Sequence, residues 1–443
     1  MNDMKNVMNR IWTWVMLSVF TFPLSVFVSC QQEEFLPQET TSLQFVVSDF
    51  PTFGEGTKTR AIGTQDEGKT AWANEDKILV HLYSPKYGDQ AVTLTFDAEN
   101  NTWESDGGTL SYLENETPTI TAVYAPDCEI KEEQIALQDG KQYGEAEYIL
   151  ARTTISENSL DINFESGRTY SRLRIAGLAN QTLTVTTTDF TPAGATEVAT
   201  AAYTLTTDNN GNAFLYGVFA EDATVSVKQG DITLKDYTFT AEKNPNGTEH
   251  NKSYALDARP VIDGTLGGKA EATEDDITAL VEQLKEYVDN GITTIIVPGT
   301  EYAMYKSNLG TIPAFAEALY LLTDLNEDSP YCGTINLILP DATEIIDFSF
   351  DSADALKSIT LPKVTTVGDG AFYGCYCLQT ITFGSVVTAI NHNTKAEFHW
   401  VGKKVEGCDL VLNREQVNAE EDYQPNIETS TWWNTEWKSI TLK

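Results

Sequence analysis

The chain has 443 residues, and its 65 Asp and Glu against 29 Lys and Arg give a net charge of −36. At ~150 residues per domain the length is too great for one core, so two or three domains are expected. A surface this acidic repels phosphate backbones and anionic membranes, which excludes nucleic acid as a partner class and keeps an exported chain soluble.

The amino-terminus carries a basic start (Lys5, Arg10), then the apolar stretch "IWTWVMLSVFTFPLSVFV" at 11–28, then Ser29, Cys30 and an abrupt "QQEE". A basic n-region, an apolar h-region and a small residue at the junction form the secretory pattern, the alternative being an uncleaved membrane anchor, which ~18 apolar residues would permit. "FVSC" resembles a bacterial lipobox with Phe27 where Leu is usual. The resemblance implies cleavage after residue 29 and lipidation (palmitate) of Cys30. The acidic Glu33 and Glu34 resemble the surface-export signal of Bacteroidota lipoproteins, which implies an outer-membrane, lipid-anchored, outward-facing protein. Five cysteines remain, Cys128, Cys332, Cys375, Cys377 and Cys408. They are too few and too uneven for a disulfide scaffold, and their redox state is left open.

From about Ser42 to Leu256 the texture is all-β. Alternating runs such as "KILVHLY", "AVTLTF", "TITAVYA", "TLTVTTTDF" and "ATVSVKQ" recur, rich in Thr, Val, Tyr and Phe and bounded by Gly, Asn, Asp and Pro. Many short strands with turn signals predict β-sandwiches, and the span suggests two in tandem, 30–160 and 161–258. Pro260 and the glycines at 264, 267 and 268 read as a linker over 259–270. Thr273 then caps a helix, with Asp276 three residues on and Ile277, Leu280, Val281, Leu284, Tyr287 and Val288 on one face, ended by Asn290–Gly291. A second helix is expected from Pro313 to Leu325.

Beyond residue 330 the chain repeats itself. "LPDATEIIDFSFDSADALKSIT" from Leu339 and "LPKVTTVGDGAFYGCYCLQTIT" from Leu361 are offset by one strand-bearing period. Such a period is that of a leucine-rich solenoid, whose units must stack to bury their apolar faces. "TTIIVPG", "CDLVLN" and the terminal "WKSITLK" read as further strands, whereas 384–407 fits the period poorly. Cys375 and Cys377 align with Ala353 and Ala355, so both are expected in small buried slots rather than in a metal or redox site. His392 and His399 are read as surface or core residues, not ligands.

"LPKVTTVGDGAFYGCYCLQTITF" resembles the BspA-type leucine-rich repeat through Leu361, Pro362, Val364, Val367, Gly368, Ala371, Phe372, Gly374, Cys375, Leu378 and Ile381. Such domains occur on surface proteins that bind host or microbial partners. The first half resembles the fimbrillin (Mfa/Fim-type) family through "KTRA" (58–61), "WANEDKILV" with Trp72, Asp76, Ile78 and Val80, "AVYAP" (122–126) and "FESGRTYSRLRIAGL" (164–178). That resemblance implies a fimbria-related lipoprotein in which an arginine-specific protease removes the first strand. A partner's donor strand then fills the groove. Arg60 and Ala61 are the candidate processing site.

The fold expected is therefore mainly β: signal peptide 1–29, two tandem fimbrillin-like β-sandwich domains, a linker, and a short leucine-rich-repeat solenoid with an N-terminal helical cap over 271–443. No catalytic motif and no cofactor signature is present, although a carboxylate pair could lie anywhere among the acidic residues. Trp432, Trp433 and Trp437 in "TSTWWNTEW" read either as a sugar platform or as a cap closing the last turn. The function expected is a non-catalytic cell-surface adhesin or fimbria tip subunit binding a protein or glycan through the repeats. A free carboxy-terminal donor strand is denied by the solenoid, which argues against a stalk subunit. The alternative is a carbohydrate-capture surface lipoprotein. Expected partners are other fimbria subunits through donor-strand addition, a host or microbial surface protein or glycan, and the outer membrane through the lipid.

Overall fold

A computed structural model describes residues 43–55 and 69–443, apart from 114–115, 139, 157, 166, 196, 241, 243–246, 309, 324–327, 391–397 and 434. Cys30, Arg60, Ala61 and His392 lie outside the described residues. The chain is mainly β, and among the described residues no helix precedes Glu274.

The first unit pairs a three-stranded sheet with a five-stranded one. The strand Gln44–Val47 runs parallel to Ser159–Asn163, with Phe45 opposite Leu160, and Ser159–Asn163 is antiparallel to Arg152–Ser156. The five-stranded sheet is antiparallel, in the order Thr102–Ser105, Gly88–Asp97, Lys77–Ser84, Thr119–Tyr124, Ile149–Leu150. Alternation decides what faces inward: Val92, Leu94 and Phe96 are buried along Gly88–Asp97 while their neighbours are partly exposed. Leu160, Ile162, Phe164 and Tyr170 pack in this first core, so its residues run on past the expected boundary at 160.

The "WANED" stretch has a structural task here. Trp72 stands edge-on to Phe50, Trp103 and Tyr124, and its indole N–H donates to the Ser48 carbonyl (2.9 Å). Asp76 accepts from the Ala73 amide (2.6 Å) and the Tyr124 hydroxyl (3.0 Å). The motif thus fastens the chain around residue 50 to the sheet.

The second unit is an eight-stranded sheet built around one long strand, Thr182–Pro192. One edge of that strand pairs with Ala199–Thr206. The other pairs with Thr224–Gln229 through 184–187 and with Asn212–Phe219 through 190–192. The register shift between Thr187 and Phe190 lets one strand bend between two partners, which curls the sheet around Leu183, Val185, Phe190, Leu215 and Val227. Lys252–Asp257 closes the sheet in parallel with Ser171–Ala176, and Gly54–Glu55 adds to its edge.

The segment expected as a linker is hydrogen-bonded to the solenoid. Val261 bridges Ile296 in parallel, Ile296 donates to the Pro260 carbonyl (2.9 Å), and Ile262 is buried. This covers the outer edge of the solenoid's first strand. Helix α1 (Glu274–Asp289) begins with the expected capping box, in which Thr273 and Asp276 bond each other's backbone amides. Helix α2 (Ala314–Thr323) is almost wholly buried. Six parallel strands follow the solenoid axis: Thr294–Ile296, Ile335–Ile338, Leu356–Leu361, Thr380–Phe383, Asp409–Leu412 and Ser439–Leu442. Ile295, Leu337, Ile359, Ile381, Leu410 and Ile440 are in register, and five of these six are buried. Thr294, Asn336, Ser358, Thr380, Asp409 and Ser439 form the adjacent, partly exposed row.

An aromatic column explains why these turns stack. Phe350, Phe372 and Phe398 lie nearly parallel at 5.6 and 5.7 Å. Phe315 of α2 extends the column at one end and Trp432 and Trp437 at the other. Phe398 lies in the stretch whose period looked irregular: that stretch is a longer turn that keeps the core position.

Candidate functional site

The same turn that carries Phe398 exposes a group of rings on the flank of the solenoid. Backbone bonds give the alignment of successive turns. Ser352 donates to the Tyr373 carbonyl (2.7 Å), and Gly374 donates to the His399 carbonyl (2.8 Å). Ser352, Gly374 and Trp400 therefore occupy one position in three consecutive turns. All three adopt positive φ, at 54°, 68° and 64°. Gly tolerates that conformation, and a bulky side chain pays for it. A tryptophan held there, 41% exposed, is a local departure that packing of the core does not require.

Around Trp400 the rings are ordered. Its centroid is 4.6 Å from His399, 5.3 Å from Tyr373 and 6.1 Å from Tyr376, the last nearly parallel at 20°. Tyr373 stacks on His399 at 5.8 Å and 23°. The Lys403 ammonium lies 5.0 Å from the Trp400 centroid, and the Lys404 ammonium 5.0 Å from that of Tyr376. Lys404 also pairs with Asp354 (3.2 Å), which accepts from the Tyr376 amide (2.9 Å) and so fixes this edge. Burial pushes the Asp351 carboxyl up from the usual carboxylate range. The result is a shallow, partly polar aromatic platform beside two ammonium groups.

None of these residues was singled out from sequence except His399, which stands exposed as a surface residue. Two signals were available. Two of the three variable positions in "AFYGCYC" are tyrosine, and Lys403–Lys404 is the only pair of consecutive basic residues in the chain.

The tryptophans expected as ligand contacts are placed otherwise. Trp432 and Trp437 are buried, and their indole N–H groups donate inward to the carbonyls of Tyr423 (2.9 Å) and Trp432 (3.2 Å). They terminate the phenylalanine column, so the cap reading replaces the platform reading for these two. Trp433 is half-buried and stacks on Tyr423 at 5.4 Å and 2°.

Both repeat cysteines lie in buried positions, as expected, and the structure gives the pairing that was left open. Cys377 is buried, but it forms a disulfide with Cys332, a pairing that spacing did not specify. Cys375 is a buried thiol whose S–H faces the Phe350 carbonyl (2.9 Å), and burial holds it well above the ordinary thiol range. Burial likewise pushes Cys408 up to about 12. Neither is a reactive thiolate. Among the described residues no group of three or more His, Cys, Asp and Glu could hold a metal ion. Two cavities in the fold are lined by apolar and tyrosyl core residues, such as Leu173 with Tyr237 and Leu280 with Phe315, and neither is lined by a carboxylate.

The first described segment forms a second feature. Phe50 and Phe53 are buried, and the Arg168 guanidinium lies 3.9 Å over the Phe53 ring. Arg168 also pairs with buried Glu147 (2.7 Å) and donates to the Pro51 carbonyl. Residues 44–55 thus contribute one edge strand to each β unit and are pinned between them.

Comparison with known proteins bears on the solenoid first. Residues 330–397 match the family described as the BspA type leucine rich repeat region. Over this stretch the chain is similar to BspA-type leucine-rich repeats. The six-stranded parallel sheet continues the same architecture on both sides of it. Among solved structures the chain is similar to a proposed cell adhesion protein of Bacteroides fragilis NCTC 9343, at 10% identity and a TM-score of 0.25, covering 48% of this chain and 92% of that one. It is also similar to a fimbrial protein of Bacteroides ovatus ATCC 8483, at 11% identity and a TM-score of 0.24, covering 54% of this chain and 56% of that one. A proposed cell adhesion protein of the same strain shows 13% identity and a TM-score of 0.24, covering 49% and 92%. A search of curated proteins finds no significant match.

Proposed function

We propose that this protein is a non-catalytic surface adhesin. In this reading two tandem fimbrillin-like sandwiches carry a BspA-type solenoid, and the solenoid makes the contact with a partner. The observation that carries it is the ring cluster of half-buried Tyr373 and Tyr376 with exposed His399 and Trp400, built on a backbone conformation unfavourable for tryptophan. The secretory leader and lipobox-like "FVSC" supply a route to the outer membrane, with Cys30 as the lipidated residue.

The pinned first segment supports a further step, assembly as a fimbria tip subunit. Cleavage between Arg60 and Ala61 would release residues 43–55 and leave strand edges at Ser159–Asn163 and Lys252–Asp257 for a donor strand.

The test is binding of the purified full-length protein to epithelial cells, mucins and matrix proteins. Saturable binding to at least one supports the adhesin reading, and binding to none contradicts it. Intact mass of the protein from its native membrane then separates the modes. A chain beginning at lipidated Cys30 indicates a tethered adhesin, and one beginning at Ala61 a strand-exchanged subunit.

A further inference from the structure

We infer that the platform on the third turn binds a glycan bearing an anionic substituent, with Trp400 as the stacking surface and Lys403 as the charge contact. This deepens the adhesin reading and rests on it.

Shape gives the first reason. A pyranose presents a face of C–H groups rimmed by hydroxyls. It is matched by a flat aromatic surface with polar groups at its edge. Tyr376 and Trp400 stack within 20° of parallel, as do Tyr373 and His399 within 23°, so the rings form an ordered cluster in which Trp400 is 41% exposed. Phenol and imidazole groups surround them as hydrogen-bonding partners.

Size separates a sugar from a protein. A stable protein interface covers roughly 800 Å² per partner with an apolar centre. Among the described residues the exposed large apolar side chains, such as Val46, Val198, Leu321 and Ile427, come from separate parts of the sequence, and of that group only Trp400 belongs to this ring cluster. Four rings suit one or two sugar units.

Charge selects the kind of sugar. The chain carries −36 overall, yet its only consecutive basic pair borders this platform. Lys404 is held by Asp354, whereas Lys403 is exposed with its ammonium over the Trp400 face. A carboxylate or sulfate on a sugar packed against Trp400 would meet the ammonium that lies over that ring. The surrounding negative field weakens long-range capture and leaves recognition to this short-range pair. A single shallow contact is weak, and many copies on one cell would supply the avidity adhesion needs.

The experiment uses immobilised oligosaccharides sharing one neutral backbone, offered unmodified, sialylated or sulfated, with full-length protein at two salt concentrations. Acidic forms are expected to bind several-fold better than the neutral form, and the two acidic arms identify whether carboxylate or sulfate is preferred. Trp400→Gly is expected to lower binding about tenfold or more, Trp400→Phe to keep part of it, and Lys403→Gln to abolish the preference for acidic forms and its salt dependence. Circular dichroism and melting curves verify that each variant is folded. Equal binding by Trp400→Gly and wild type overturns the inference, as does indifference to the acidic group. If the wild type binds cells but no glycan, the adhesin reading stands and this inference fails in favour of a protein partner. If it binds neither, the adhesin reading itself fails.

Discussion

Trp400 is the residue on which energetics and function meet. A left-handed conformation costs an L-residue roughly 1–2 kcal/mol, and glycine avoids that cost. Trp400→Gly should therefore leave the protein more stable than Trp400→Ala by about 1 kcal/mol, although both remove the ring; denaturant unfolding of the two variants measures it. Equal stabilities would mean that no backbone strain is present. Arg168 is the opposite case, a charge that is structural. It is buried with Glu147 and stacked on Phe53, so truncation leaves a buried carboxylate unpaired. Arg168→Ala should cost about 3–5 kcal/mol. It should also speed trypsin cleavage in the 56–68 stretch, by loosening residues 50–53, which time-resolved gel analysis would follow.

At the scale of elements, the solenoid relies on three devices: the phenylalanine column, the disulfide and the helical cap. Cys332–Cys377 closes a loop of 45 residues, which in the chain-entropy view stabilises by up to about 4 kcal/mol. Replacing both cysteines with alanine should lower the denaturant midpoint of the solenoid, while reduction should leave the double variant unchanged. The α1 cap gives a pH signature. Asp276 is held down to about 2, first by the Lys269 ammonium and then by the Thr273 amide. Its contribution is therefore complete above the ordinary carboxylate value of 3.8 and is lost as pH falls through about 2. Asp276→Asn should flatten the acid limb of stability between pH 4 and 2, read by helical ellipticity.

These elements also show what the sequence made legible. The helix cap, the two regular repeats and the short strands announced themselves because each is a local pattern of turn residues and alternating apolar positions. The disulfide and the platform did not. Cys332 and Cys377 are brought together only when turns stack, and Tyr373, Tyr376 and Trp400 converge across turns of unequal length. The longer turn hides its equivalence to its neighbours until backbone bonds align Trp400 with Gly374 and Ser352. The terminal tryptophans were ambiguous for the same reason, because sequence does not tell a ring that ends a column from one that faces solvent.

At the scale of the whole molecule, the three regions are joined through packed contacts. The hairpin around Gly230 meets the end of α1, where the Asp231 amide donates to the Asn290 side chain (3.0 Å), and Ile232 is buried in the solenoid core. Residues 260–262 extend the solenoid sheet backward toward the second unit. A lipid at Cys30 would thus bear a chain of stacked β units with the platform on the flank of its final domain. In the proposed function this platform makes the contact with the partner surface. The most direct measurement is equilibrium binding of full-length wild type and Trp400→Gly to the same epithelial cells, with both shown to be folded. Saturable wild-type binding that falls about tenfold in the variant is the result predicted; undiminished binding by the variant would contradict it.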